Sequence, residues 1–202
     1  MSDDAGKWDE RYAEADQLWS GNPNQTLVEA ATPLTPGRAL DVGCGEGADA
    51  VWLAQWGWDV TALDVSEVAL GRARRHAEAA GEVVTWVLSG LVEAQLPPAS
   101  FDLVSAQYAV LLRTPGRDAE RILIDAVAPG GVLSVVHHAD FDPEHAKARG
   151  FDPDDYVHPP DVLGLLSDGW QVEVNETRPR TVATGGGSHH VADVVLLARR
   201  IR

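Results

Sequence analysis

Three glycines, two acids and a cysteine share the seven residues "DVGCGEG", Asp41 to Gly47. Gly43, Gly45 and Gly47 let the backbone turn sharply off a strand and approach a ligand without Cβ clashes. Their spacing is G-x-G-x-G, whereas a dinucleotide fingerprint is G-x-G-x-x-G with a diphosphate on the helix N-terminus. Asp41, two residues before the first glycine, would repel a diphosphate, and Glu46 adds negative charge at the same place. Asp41 suits a cationic amino group instead, met directly or through water. Asp64, in "ALDVS", falls at the end of the next strand, where a carboxylate can accept hydrogen bonds from both hydroxyls of a ribose. Asp64 fits any adenosine ligand, so the discrimination rests on Asp41 and Glu46. Cys44 has no partnered base in the sequence around it, and its role there is to be small.

A second chemical cluster is made of histidines. His137 and His138 end the strand "GGVLSVVHH", and His189 and His190 begin "HHVADVVLLARR" after "GGGS". The ligand crevice of an open parallel sheet lies at the carboxyl ends of its strands, and an antiparallel strand starts at that same edge. Both pairs are expected to converge there on the acceptor side of the site. A histidine of near-neutral pKa can take a proton from a hydroxyl or thiol, worth roughly 10²- to 10⁴-fold in rate. His138 and His189, with Asp140, could also ligate a metal, but no fixed spacing supports this and no metal is assigned.

The elements that must position these residues follow from periodicity. "RALDVG", "DVTALDV", "VVTWVLSG", "FDLVSAQY" and "GGVLSVVHH" read as strands, separated by the helical "EGADAVWLAQWG", "SEVALGRARRHAEAAG" and "GRDAERILIDAVAPG". Such alternation predicts a parallel sheet covered by helices on both faces. "GWQVEVNETRPRTV" and "HHVADVVLLARR" read as two strands joined by a Gly-rich hairpin, giving an antiparallel edge. Ahead of the first strand, "KWDERYAEADQLWS" and "NPNQTLVEAA" read as two further helices, the second with Asn22 as N-cap before Pro23. Trp52, Trp56 and Trp58 surround the first core helix and read as packing.

Composition bounds the class. The 202 residues, 45% hydrophobic, suffice for one domain. Sixteen Lys+Arg against 31 Asp+Glu give a net charge of −15, a field that disfavours nucleic acid and anionic membranes as partners. No stretch reaches the roughly 18 apolar residues of a membrane span, and the first residues lack an apolar h-region. The expectation is a cytoplasmic protein, monomer or homodimer. A lone cysteine excludes an internal disulfide.

"LDVGCGEGADA" followed by "VTALDVSEVAL" resembles motifs I and II of the class I S-adenosylmethionine (SAM)-dependent methyltransferases, and the resemblance spans the strand and helix order of the whole chain. "WDERY…LWSGNPN" and the small size are similar to the tellurite-resistance and thiopurine group of small-molecule methyltransferases. The resemblance implies a Rossmann-like, doubly wound α/β fold with a seven-stranded sheet in order 3-2-1-4-5-7-6, the last strand antiparallel. It implies one domain, residues 1–202, with an N-terminal helical cap over the cofactor (1–35) on a core (36–202). The cofactor would be SAM, released as S-adenosylhomocysteine (SAH). Asp41, Gly43, Cys44, Gly45 and Gly47 would surround its methionine part, Asp64, Val65 and Ser66 its ribose and adenine, and Gln107 in "VSAQY" would flank the reactive methyl. Trp8, Trp19 and Arg11 would come from closing helices, Arg11 toward the methionine carboxylate. One departure stands out. Many relatives carry an acid after strand three for the adenine amino group, and here "VLSGLVE" places Gly90 there, leaving Ser89, the Leu91 backbone or a water. His137, His138, His189 and His190 would serve catalysis. The segment "ADFDPEHAKARGFDPDDYVHPP", with Glu144 and Lys147 among its aspartates, lies where the family builds its acceptor lid. The implied reaction is methyl transfer to a small-molecule acceptor, O or S favoured. A SAM- or SAH-binding regulator without catalysis is the alternative, and a nicotinamide oxidoreductase is disfavoured by Asp41 and the glycine spacing.

Overall fold

Alternate residues of the central strands point to opposite faces of one sheet and build two separate hydrophobic layers. In the computed structural model, which describes residues 3–140, 144, 152–180, 185 and 187–202, seven strands run in the order β3-β2-β1-β4-β5-β7-β6. The strands are β1 (Arg38–Val42), β2 (Asp59–Asp64), β3 (Thr85–Leu88), β4 (Phe101–Gln107), β5 (Val127–His138), β6 (Trp170–Pro179) and β7 (Ala192–Arg200). β7 is antiparallel to both neighbours, and the pairings among β1 to β5 are parallel. This is the expected doubly wound sheet.

One layer packs Leu27 and Ala31 of α2 (Gln25–Ala31), Ala50 and Leu53 of α3 (Ala48–Gln55) and Leu70 of α4 (Glu67–Ala80) against Ala39 and Leu103. The other packs Leu123 and Ala126 of α5 (Asp118–Ala126), with Val162 of a short helix at Pro159–Leu163, against Leu40, Val42, Val104 and Leu133. α4 shows why these helices start and stop where they do. Ser66 caps it by accepting from Ala69 N–H at 3.1 Å, and Gly81 ends it in the left-handed region at φ 74°. Between them Ala69, Leu70, Ala73 and Ala77 form the buried stripe.

Three local expectations change. α1 (Asp3–Ala13) stops before Trp19, because Glu46 takes the Leu18 and Trp19 N–H groups away from any helix. The N-cap of α2 is Asn24, not Asn22, since Asp49 accepts from both the backbone N–H and the side-chain amide of Asn24, at 2.7 and 2.8 Å. His189 and His190 lie in the turn before β7, which begins at Ala192. No described helix is long and apolar enough to cross a membrane. Residues 141–143 and 145–151 of the expected acceptor lid, Lys147 among them, fall outside the described residues.

Candidate active site

The glycine turn forms where β1 ends. Gly43 and Cys44 donate their N–H groups to Leu63 O at 2.9 and 3.0 Å. Gly43, Gly45 and Gly47 all adopt positive φ, at 68°, 53° and 81°, which a side chain would strain. Asp64 fastens this turn to β2, accepting from Gly45 N–H and Ser66 N–H, each at 2.9 Å. Its carboxylate keeps lone pairs for a ligand hydroxyl. Asp41 is 2% exposed, and its Oδ2 has no hydrogen-bond partner. Burial, followed by the carboxylates of Asp49 and Asp64, pushes the Asp41 carboxyl well above the usual range. An orphaned buried acceptor costs about 1–3 kcal/mol, more when charged, and a cationic ligand would satisfy this one. Burial, then Asp41 and Asp64, raises the Cys44 thiol well above its ordinary pKa, so the thiolate nucleophile is disfavoured here. Gln107, the last residue of β4, anchors its amide NH₂ on Ser105 Oγ and Ser134 Oγ, both at 3.1 Å, and its buried Oε1 has no partner.

A cap closes over the turn. Glu46 accepts from Leu18 N–H at 3.0 Å and Trp19 N–H at 2.9 Å, and pairs with Arg72 at 2.8 Å. Arg72 also donates to Tyr12 O and Ala15 O, at 2.8 and 2.6 Å. The Arg72 guanidinium thus ties the end of α1 and the following loop to α4. Asp9 adds a second tie, accepting from Ser66 Oγ at 2.6 Å and Val68 N–H at 3.2 Å. Trp19 Nε1 donates to Tyr12 Oη at 2.9 Å, and a Cβ on Gly45 would stand 2.8 Å from that hydroxyl oxygen. Gly45 is therefore small to admit the cap as well as a ligand. The Arg11 guanidinium stands over the Trp8 and Trp19 rings at 5.3 and 6.0 Å.

The histidines form the opposite wall. His138 stacks on Tyr108 with centroids 4.4 Å apart and on His190 at 3.8 Å, and His189 leans on His190 at 4.1 Å. Each inner ring has a carboxylate behind it: His138 Nδ1 lies 3.2 Å from Asp193 Oδ1, and His190 Nδ1 lies 3.0 Å from Asp140 Oδ1. Tyr108 donates its hydroxyl proton to Asp193 at 2.7 Å and accepts from Arg180 Nε at 3.1 Å. It sits at φ 57°, a strained backbone for a bulky residue. Burial, His158 and His138, in that order, push His137 down to about 3, so it is neutral near pH 7. Burial and His138 lower His190, against the pull of Asp140.

The glycine turn, the cap and the histidine wall line one continuous cavity of about 1270 Å³. Ligand pockets commonly measure about 300–1,000 Å³, so this one has room for two ligands side by side. Among the expected residues, Trp8, Arg11, Trp19, Asp41, Gly43, Cys44, Gly45, Asp64, Val65, Ser89, Leu91, Gln107 and all four histidines border it. Gly47 and Ser66 do not. Gly47 lets α3 pack, since a Cβ there would meet Ala73 Cβ at 2.7 Å and the Trp86 ring at 3.0 Å, and Ser66 is a fully buried helix cap. Among the described residues no group of three or more His, Cys, Asp or Glu could hold a metal ion. Asp140, considered for such a site, instead accepts from His190 and from Val191 N–H. Sequence reasoning missed Tyr12, Arg72, Tyr108, Arg180 and Asp193. Tyr108 alone was signalled, as the neighbour of Gln107 in "VSAQY".

Residues 39–131 match a family model described as a methyltransferase domain. An uncharacterized methyltransferase of Mycobacterium tuberculosis is 37% identical over 122 residues, 60% of this chain and 61% of that protein. A ubiquinone biosynthesis O-methyltransferase of Azoarcus is 37% identical over 107 residues, 52% of this chain and 46% of that protein. The chain thus spans 61% or less of these relatives' lengths. Among solved structures, the N-methyltransferase NodS of Bradyrhizobium japonicum in complex with SAH superposes with a TM-score of 0.72 at 20% identity, covering 99% of this chain and 100% of that one. TehB of Haemophilus influenzae gives 0.61 at 17%, covering 88% and 62%. Residues 39–131 thus resemble a methyltransferase domain, and the seven-stranded fold around them is the one these solved methyltransferase structures share.

Proposed function

We propose that the protein transfers the methyl group of SAM to a small-molecule acceptor at an oxygen or sulfur atom. The observation that carries the reading is the continuity of one cavity from the orphaned Asp41 oxygen to the histidine wall. Asp41 would receive the methionine ammonium, Asp64 the ribose hydroxyls, and Arg11 the methionine carboxylate. When bound, SAM supplies an electrophilic methyl, so the protein's main task is to hold the acceptor in line with the S–CH₃ bond. The cap of residues 1–35 would exclude water during that step. Among the histidines, His138 fits a proton acceptor: Asp193 fixes its Nδ1 side, and its Nε2 lies beside Gly187, where an added Cβ would stand 3.4 Å away. Tyr108 and His190 hold the ring in plane from both faces. An acceptor hydroxyl or thiol would lose its proton to that imidazole as the methyl arrives.

Methyl-tritiated SAM incubated with the protein and a metabolite extract tests this. Label appearing in an acid- or base-stable compound of low mass supports it. Bound SAM with no transferred label points to a non-catalytic binding protein instead.

A further inference from the structure

The chain lacks the acid expected after β3, and something else must face the edge of the adenine. Gly90 occupies that position, and Ser89 Oγ donates its only proton to Gly90 O at 3.0 Å. Glu93 lies one turn further along the chain and borders the cavity together with Val65, Ser89, Gly90, Leu91 and Val92. Its carboxylate folds back over Gly90: a Cβ placed on Gly90 would meet Glu93 Oε2 at the separation an aspartate's own carboxylate oxygen keeps from its Cβ. The next side chain that Cβ would meet is Val65, at 3.8 Å. The Glu93 carboxylate therefore occupies space that a side chain at position 90 would need.

We infer that Glu93 replaces the missing acid and accepts the 6-amino hydrogen of the adenine, making it a determinant of base specificity. The inference rests on the proposed SAM site. Adenine presents an N–H donor at its 6-position, and a carboxylate is an acceptor with no proton to give at neutral pH. The pairing rejects a purine that carries an oxygen there, because two acceptors would then face each other. It also explains the glycine: any side chain at position 90 would evict the Glu93 carboxylate. Glu93 is exposed at the rim, so its removal should leave the fold intact.

The test is calorimetry with SAH and with 6-deamino-SAH, in which hydrogen replaces the amino group. The parent should prefer SAH about tenfold, the lower end of what a hydrogen bond to a charged acceptor supplies. Glu93→Ala should reduce that preference to less than about twofold while binding 6-deamino-SAH like the parent. Adding Gly90→Asp to Glu93→Ala should restore the preference, since the acid then starts from the position Glu93 had covered. An unchanged preference in Glu93→Ala overturns the assignment. Failure of the parent to bind SAH at all overturns the SAM site itself, a separate outcome.

Discussion

Two glycines two positions apart do different work, and substitution separates them. Gly45 and Gly47 share a positive φ, so alanine strains both by roughly 1–2 kcal/mol. At Gly45 the new methyl meets Tyr12 Oη and Trp19 Nε1, at 2.8 and 3.3 Å, and these belong to the cap. Gly45→Ala should therefore weaken SAH binding by tenfold or more with a modest fall in melting temperature. At Gly47 the methyl meets Ala73 Cβ and Trp86, in the packing of α3 against α4 and β3. Gly47→Ala should chiefly destabilise, by about 2 kcal/mol or more, which for a chain of this size lowers Tm by roughly 4–8 °C. Thermal melts and SAH titrations of the two variants check this, and equal losses in both would contradict the division. The sequence made both glycines conspicuous but could not divide them, because the division depends on Tyr12 and Ala73, residues 33 positions before one and 26 after the other. Asp41 was legible for a simpler reason: an acid beside a glycine turn carries its chemistry in its type and spacing.

The cap is held by an ion pair that no local pattern announces. Arg72 of α4 carries no sequence signature of its role, yet it binds Glu46, Tyr12 O and Ala15 O together. Arg72→Ala removes all three and leaves the Glu46 and Asp9 hydrogen bonds to hold the cap. Hydrogen exchange across residues 8–20 should then quicken at least tenfold, and SAH should restore protection only partly. Exchange unaffected by the substitution would show the cap to be held by Trp8, Tyr12 and Trp19 packing instead. The elements themselves were largely legible, since β-branched runs alternating with amphipathic stretches specify a parallel sheet with covering helices. Their ends were not, where tertiary hydrogen bonds decide them. Trp19 was assigned to a helix because nothing nearby breaks one, and the competing acceptor, Glu46, comes 27 residues later.

At the scale of the molecule, the buried titratable groups pull stability in opposite directions with pH. His137 titrates near 3 in the folded protein and near 6.5 when unfolded, so between those values only the unfolded chain gains its proton. Its contribution to stability therefore rises as pH rises from about 3 to about 6.5. The parent should lose stability on acidification relative to His137→Gln, and a parent-minus-variant difference in Tm that ignores pH over that range would show His137 to be solvated. Asp41 works the other way: its raised pKa means that the folded, unliganded chain keeps a proton which the unfolded chain releases above about 4. That burden makes sense only if a cation arrives to relieve it, which is the core of the functional reading. The most direct measurement is a calorimetric titration of parent and Asp41→Asn with SAH and with methylthioadenosine, which keeps the nucleoside and lacks both the ammonium and the carboxylate. The account predicts that the parent binds one SAH per chain and prefers it at least tenfold over methylthioadenosine, and that Asp41→Asn lowers that preference severalfold, the part due to the carboxylate remaining, while binding methylthioadenosine unchanged. A full preference for SAH in Asp41→Asn, or a parent that binds NADH and not SAH, would contradict it.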